Sequence, residues 1–222
     1  MKKIFLIMAV VLSFPFISCG DDKDEPESPD NHEWVDLGLP SGTLWATCNV
    51  GADTPEEYGD YFAWGETKPK VSYDWETYKW CDSSRSYTKY CSNSKYGVVD
   101  NKTELDPDDD AAYVNWGSSW RMPTKEQQDE LREKCSWLWT QRNGVYGQLG
   151  TGPNGNTLFL PATGLRNIGS LLVTGSEGMY WSRTLNSTNG AVRLEVYSSH
   201  LSWNSDNRFR GYTVRAVRVP QN

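Results

Sequence analysis

The sequence predicts a loop-rich α+β domain, or one built mostly of strands. Three observations lead there. Val192, Leu194 and Val196 alternate with Arg193, Glu195 and Tyr197, the period-2 pattern of a strand with one buried and one open face. Helical periodicity is scarce, and residues 125–135 carry the clearest case. Nineteen Gly and eleven Pro supply turns, while eleven Trp, twelve Tyr and six Phe supply core bulk in 222 residues. That length fits one domain plus a leader.

Residues 1–18 have the outline of a secretion signal. Lys2 and Lys3 form its positive start, Ile4 to Val11 is apolar, and Ile17-Ser18-Cys19 closes it. The apolar run is too short to span a membrane comfortably. The ending resembles a bacterial lipobox, in which Cys19 becomes the lipidated first residue. Ordinary cleavage is the alternative, but a lone thiol at a cleavage site favours lipidation. The acidic run Asp21-Asp22-Lys23-Asp24-Glu25 resembles the surface-export signal of Bacteroidetes lipoproteins. Residues 19–32 read as an acidic, disordered tether and 33–222 as the folded domain. This implies an outer-membrane protein facing the exterior, touching the membrane through its lipid anchor alone.

The formal charge is -7, and about -9 without Lys2 and Lys3. That balance argues against nucleic acid and against lying on anionic lipid.

The domain begins with a short strand at residues 34–39, a turn at Pro40-Ser41-Gly42 and a second strand at residues 44–50. Thr54, Pro55 and Glu57 have capping-box spacing, which predicts a short helix to about Phe62. Residues 66–105 show no periodicity and read as a long excursion pinned by Trp75, Tyr78, Trp80, Tyr87 and Tyr90. The carboxylates of residues 106–110 miss EF-hand spacing, because Ala111 and Gly117 stand where Gly and Glu are needed. They read instead as an acidic N-cap. Thr124 and Gln127 form a second capping box, opening the helix at 125–135. Asn154-Gly155 between residues 145–151 and 156–161 predicts a hairpin. Residues 161–166 and 170–174 are further extended pieces.

Cys48, Cys81, Cys91 and Cys135 make an even set, for which three pairings exist. Cys81 with Cys91 would close a short loop. No Cys-x-x-Cys spacing supports zinc. His32 and His200 are the two histidines, and His32 falls in the tether. No Gly-x-Ser-x-Gly elbow occurs. Phosphate binding by the glycines of residues 147–155 lacks a following Gly-Lys-Ser/Thr and a helix. No catalytic residue, metal or cofactor is expected, and an enzyme built on paired carboxylates is the least favoured reading.

Several long motifs carry a family resemblance. Trp34-Val35-Asp36-Leu37-Gly38-Leu39-Pro40-Ser41-Gly42-Thr43-Leu44-Trp45-Ala46 resembles the start of the Fibrobacter succinogenes major paralogous domain, apart from a missing leading Tyr. Tyr58-Gly59-Asp60-Tyr61-Phe62-Ala63-Trp64-Gly65-Glu66 and Asn115-Trp116-Gly117-Ser118-Ser119-Trp120-Arg121-Met122-Pro123-Thr124 match as well. So do Leu160-Pro161-Ala162, Tyr180-Trp181-Ser182 and Val214-Arg215-Ala216-Val217-Arg218. The likeness spans residues 33–219. It implies a C-type-lectin-like fold: paired terminal strands, small twisted sheets, flanking helices and long loops presenting a binding face. Calcium-dependent sugar motifs are not matched, since Trp203-Asn204-Ser205-Asp206 is a near miss and Glu-Pro-Asn is absent.

The tail also resembles the variable region of retroelement-diversified proteins of the same fold. That likeness implies outward positions at Arg183, Arg193, Glu195, Tyr197, His200, Ser202, Asn204, Asp206, Arg208, Phe209, Arg210 and Tyr212. It makes Trp181, Val192, Leu194, Val196 and Trp203 scaffold. Tyr among small hydrogen-bonding residues is binding-surface composition. The leading expectation is a surface lipoprotein that binds a protein or glycan through residues 180–212. The alternative is a structural or tip subunit of a surface or fimbrial assembly, using the same face.

Overall fold

A computed structural model describes residues 31–186 and 190–218 of the chain. The leader, Cys19 and residues 19–30 of the tether lie outside them. In chain order the first elements are β1 (Trp34–Asp36), β2 (Leu44–Ala46), α1 (Ala111–Trp116) and α2 (Lys125–Lys134). Then come β3 (Ser136–Arg142), β4 (Val145–Thr151), β5 (Thr157–Pro161), β6 (Leu165–Asn167) and β7 (Ser170–Leu172). The last are β8 (Gly178–Leu185), β9 (Gly190–Val196), β10 (Leu201–Asn207) and β11 (Val217–Arg218). The fold is mixed α+β: small antiparallel sheets in the orders β1-β2-β11, β10-β9-β8, β3-β4-β5 and β6-β7, with two short α-helices among the described residues. The first and last strands share one sheet, with β2 between them.

The two helices start where their caps dictate. Thr124 accepts from the Gln127 N–H at 3.2 Å, and Gln127 Oε1 accepts from the Thr124 N–H at 2.9 Å, closing the box at the start of α2. Leu131 and Gln128 are the buried side of α2. Gln128 donates to the carbonyls of Tyr180 and Trp181 at 3.2 and 3.3 Å, docking the helix on β8. Asp110 caps α1 by accepting from Ala112 and Tyr113, and it also accepts from the Met122 N–H. Burial pushes this carboxyl above its usual range, against the pull of those amides.

The helix expected after Thr54 does not form. Glu57 does accept from the N–H groups of Asp53 and Thr54, at 2.7 and 3.3 Å, so half of the box exists. It caps a turn, because Asp60 then donates to the Val50 carbonyl at 2.8 Å and draws the chain back. Gly59 makes the approach at φ +69°, where a Cβ would stand 2.5 Å from that carbonyl. The second strand likewise ends at Ala46 rather than Val50. The predicted hairpin at β4 and β5 is present, and β3, which the sequence reading missed, extends it into three strands.

Residues 66–105 are irregular and pinned by aromatics, as expected. Tyr61, Tyr73, Tyr78, Tyr87 and Phe209 form one buried cluster beneath them. Charges add to the hold. Lys89 bridges Asp106 and Asp109, each at 2.6 Å, and Tyr90 donates to Asp109 at 2.6 Å. Burial would raise the Asp109 pKa, but Lys89, Tyr90 and Lys79 outweigh it and hold the carboxyl below the usual range. The expected Cys81–Cys91 crosslink is not formed, and both cysteines are free thiols. Hydrogen bonds tie this loop instead: Asp100 accepts from the N–H groups of Tyr90 and Cys91 at 2.7 and 2.9 Å.

The β8-β9-β10 sheet is covered on both faces. Register puts Met179, Trp181, Ala191, Arg193 and Glu195 on one face and Tyr180, Leu194, Val196 and Leu201 on the other. Core residues from the first set pack with Phe62, Trp64 and Tyr212, and those of the second with Leu131, Leu158 and Val217. The alternation along β9 is therefore real, but its polar side is interior rather than open. Arg193 and Glu195 are 9% and 5% exposed. His32 is also displaced from its expected place in a loose tether, since its ring stacks on Trp116 at 3.9 Å.

Candidate functional site

Two layers occupy the region singled out in the sequence. The inner layer is an ion-pair network. Arg193 reaches Glu195 Oε1 through Nη2 and Asp206 Oδ2 through Nη1, both at 2.5 Å. Its Nη1 also donates to the Tyr212 hydroxyl at 3.0 Å, and Tyr212 donates to Asp206 at 2.6 Å. Ser202 donates to Glu195 Oε2 at 3.0 Å, and Arg210 reaches Asp206 Oδ1 at 3.1 Å. Two arginines thus meet two carboxylates, and the network presents little net charge outward. Burial opposes the Arg193 charge, but Tyr212, Asp206 and Glu195 outweigh it and raise its pKa. Burial raises the Tyr212 pKa as well, so its hydroxyl stays a neutral donor.

This layer corrects the expected binding positions. Arg193, Glu195, Arg208, Phe209 and Tyr212 are all buried. Arg208 lies over the Tyr87 ring at 3.5 Å and donates to the carbonyls of Lys89 and Tyr90 at 3.3 and 3.1 Å. It locks the long loop to the strand region and is unavailable as a forked surface donor. Phe209 packs on Trp75 at 4.8 Å. Tyr212 packs on Trp181 at 4.3 Å. Arg183 sits apart on β8, ion-paired to Glu104 at 3.0 Å.

The outer layer is a strip along β10 and the turn before it. His200 and Asn204 are exposed, and Tyr197, Ser202, Asp206 and Arg210 are half-buried. Tyr197 and His200 stack at 5.0 Å, and the Tyr197 N–H closes the turn on the His200 carbonyl at 3.0 Å. Trp203, which the likeness to diversified proteins placed in the scaffold, is 46% exposed. Its register partner Leu194 is core, but β10 is the sheet edge, and Lys125 Nζ lies over its indole at 4.3 Å. Period alone cannot separate an edge position from a central one, which is why the sequence hid it.

The edge itself is blunted. From the 197–200 closure, residues 201, 203, 205 and 207 direct their N–H groups away from β9. Asn204 Oδ1 accepts from Ser205 at 2.8 Å and Asp206 Oδ1 accepts from Asn207 at 2.7 Å. Strand addition at residues 205 and 207 would have to break these bonds. His200 Nδ1 lies 2.9 Å from Ser199 Oγ. Among the described residues, no group of three or more His, Cys, Asp or Glu is placed to hold a metal, and no helix is long and apolar enough to cross a membrane.

No family model, no curated protein and no solved structure matches this chain.

Proposed function

We propose that this chain is an outer-membrane surface lipoprotein, anchored through Cys19, whose C-type-lectin-like domain binds a protein or glycan. The family motifs of the sequence support that fold reading, and the meeting of first and last strands around β2 accords with it. The contact strip is the open edge of β10: Trp203 with Lys125 on the Leu194 side of the sheet, Ser202 and Asn204 on the Arg193 side, and Tyr197 and His200 at the turn. The carrying observation is Trp203, a large aromatic nearly half exposed on the edge strand with the Lys125 ammonium over its ring. Such an anchor among adaptable Ser, Asn and His side chains suits ligand contact. The test is a glycan and protein array probed with the full chain and with a His200→Ala, Trp203→Ala, Asn204→Ala variant. The reading expects the variant to lose at least about tenfold in affinity for any specific hit. Equal binding by the two proteins would move the site elsewhere.

A further inference from the structure

A second site lies where the chain enters the fold. A pocket of about 360 Å³ is lined by His32 and Glu33 before β1, Thr47 and Cys48 after β2, Asp53, and Trp116 at the end of α1. None of these residues belongs to β9 or β10. The stacked rings of His32 and Trp116, 3.9 Å apart and 18° from parallel, give it a flat wall. The wall is held to β2, because the Thr47 N–H donates to the Glu33 carbonyl at 3.0 Å. Glu33 and Asp53 stand exposed at the rim, and no lysine or arginine is among the lining residues. Arg215 lies fully buried behind the floor without lining it, donating to the Thr47 carbonyl at 2.7 Å.

We propose that this pocket binds a cationic side chain of a protein partner, an ammonium or guanidinium group. An aromatic wall and a carboxylate rim complement such a group in shape and charge. The chain's net charge of -7 draws cations toward it over longer range. A neutral saccharide would leave both carboxylates without a counter-charge. This proposal does not depend on the β10 face.

The test is an NMR titration of the full chain with Nα-acetyl-lysine methylamide. The neutral isostere Nα-acetyl-norleucine methylamide and methyl glucoside serve as controls. The lysine derivative is expected to shift the Trp116 indole and the amides of residues 47–53, and the two controls are not. A Glu33→Gln, Asp53→Asn variant should bind it about tenfold more weakly, with the rest of its spectrum unchanged. The idea fails if the norleucine derivative or the glucoside shifts the same signals as strongly, or if the double variant binds as wild type.

Discussion

Single side chains divide this region into support and contact. Arg193 and Glu195 have side chains 10% and 7% exposed, so each is part of the other's compensation for lost hydration. Removing Arg193 takes the cation from Glu195 and leaves it the Ser202 bond, whereas removing Glu195 leaves Arg193 its bonds to Asp206 and Tyr212. Arg193→Met should therefore cost about 3 kcal/mol in urea unfolding and more than Glu195→Met, while the Arg193→Met, Glu195→Met pair should cost less than the two single losses added. Additive losses would show that the two charges do not depend on each other. The sequence displayed these residues as a polar stripe and placed them outside. Alternation tells which residues share a face, and both faces of this sheet are covered. Nothing local to Arg193 announces Tyr212, nineteen residues on, as its cover. His200 and Asn204, by contrast, lie exposed as the likeness implied.

Elements were most legible where a local rule closes on itself. The Thr124–Gln127 box and the β4–β5 hairpin are written in a few adjacent residues, and both form. The Thr54–Glu57 spacing obeys the same rule and fails, because Asp60 bonds back to Val50 and Gly59 lies close against the same carbonyl. A long-range strand contact there outweighs a local cap. Asp110 shows how much one cap can hold: it serves the start of α1 and the Met122 amide together. Asp110→Ala leaves three buried or half-buried N–H groups without their acceptor. It should lower stability by about 3 kcal/mol, read as a fall in denaturation midpoint with little change in slope. A loss under about 0.5 kcal/mol would mean water replaces the carboxylate freely.

Across the whole molecule, irregular chain is held by polar and aromatic ties rather than by regular ladders. Arg208 over Tyr87, Lys89 between two aspartates and the Tyr61–Phe209 cluster fasten residues 66–105 to the sheets. Composition foretold the aromatic part of this, but the partners are far apart in sequence and left no pattern to read. On the edge strand of the β8-β9-β10 sheet these ties leave Trp203 46% exposed. In the proposed function Trp203 contacts the ligand, while the Arg193 network, on the opposite face of the same sheet, supports the fold. The most direct measurement pairs ligand affinity with melting temperature for Trp203→Ala, using a ligand identified on the arrays. Trp203→Ala should lose at least about tenfold in affinity while melting within about 2 °C of wild type. Unchanged affinity in a protein that melts as wild type would place the ligand away from Trp203.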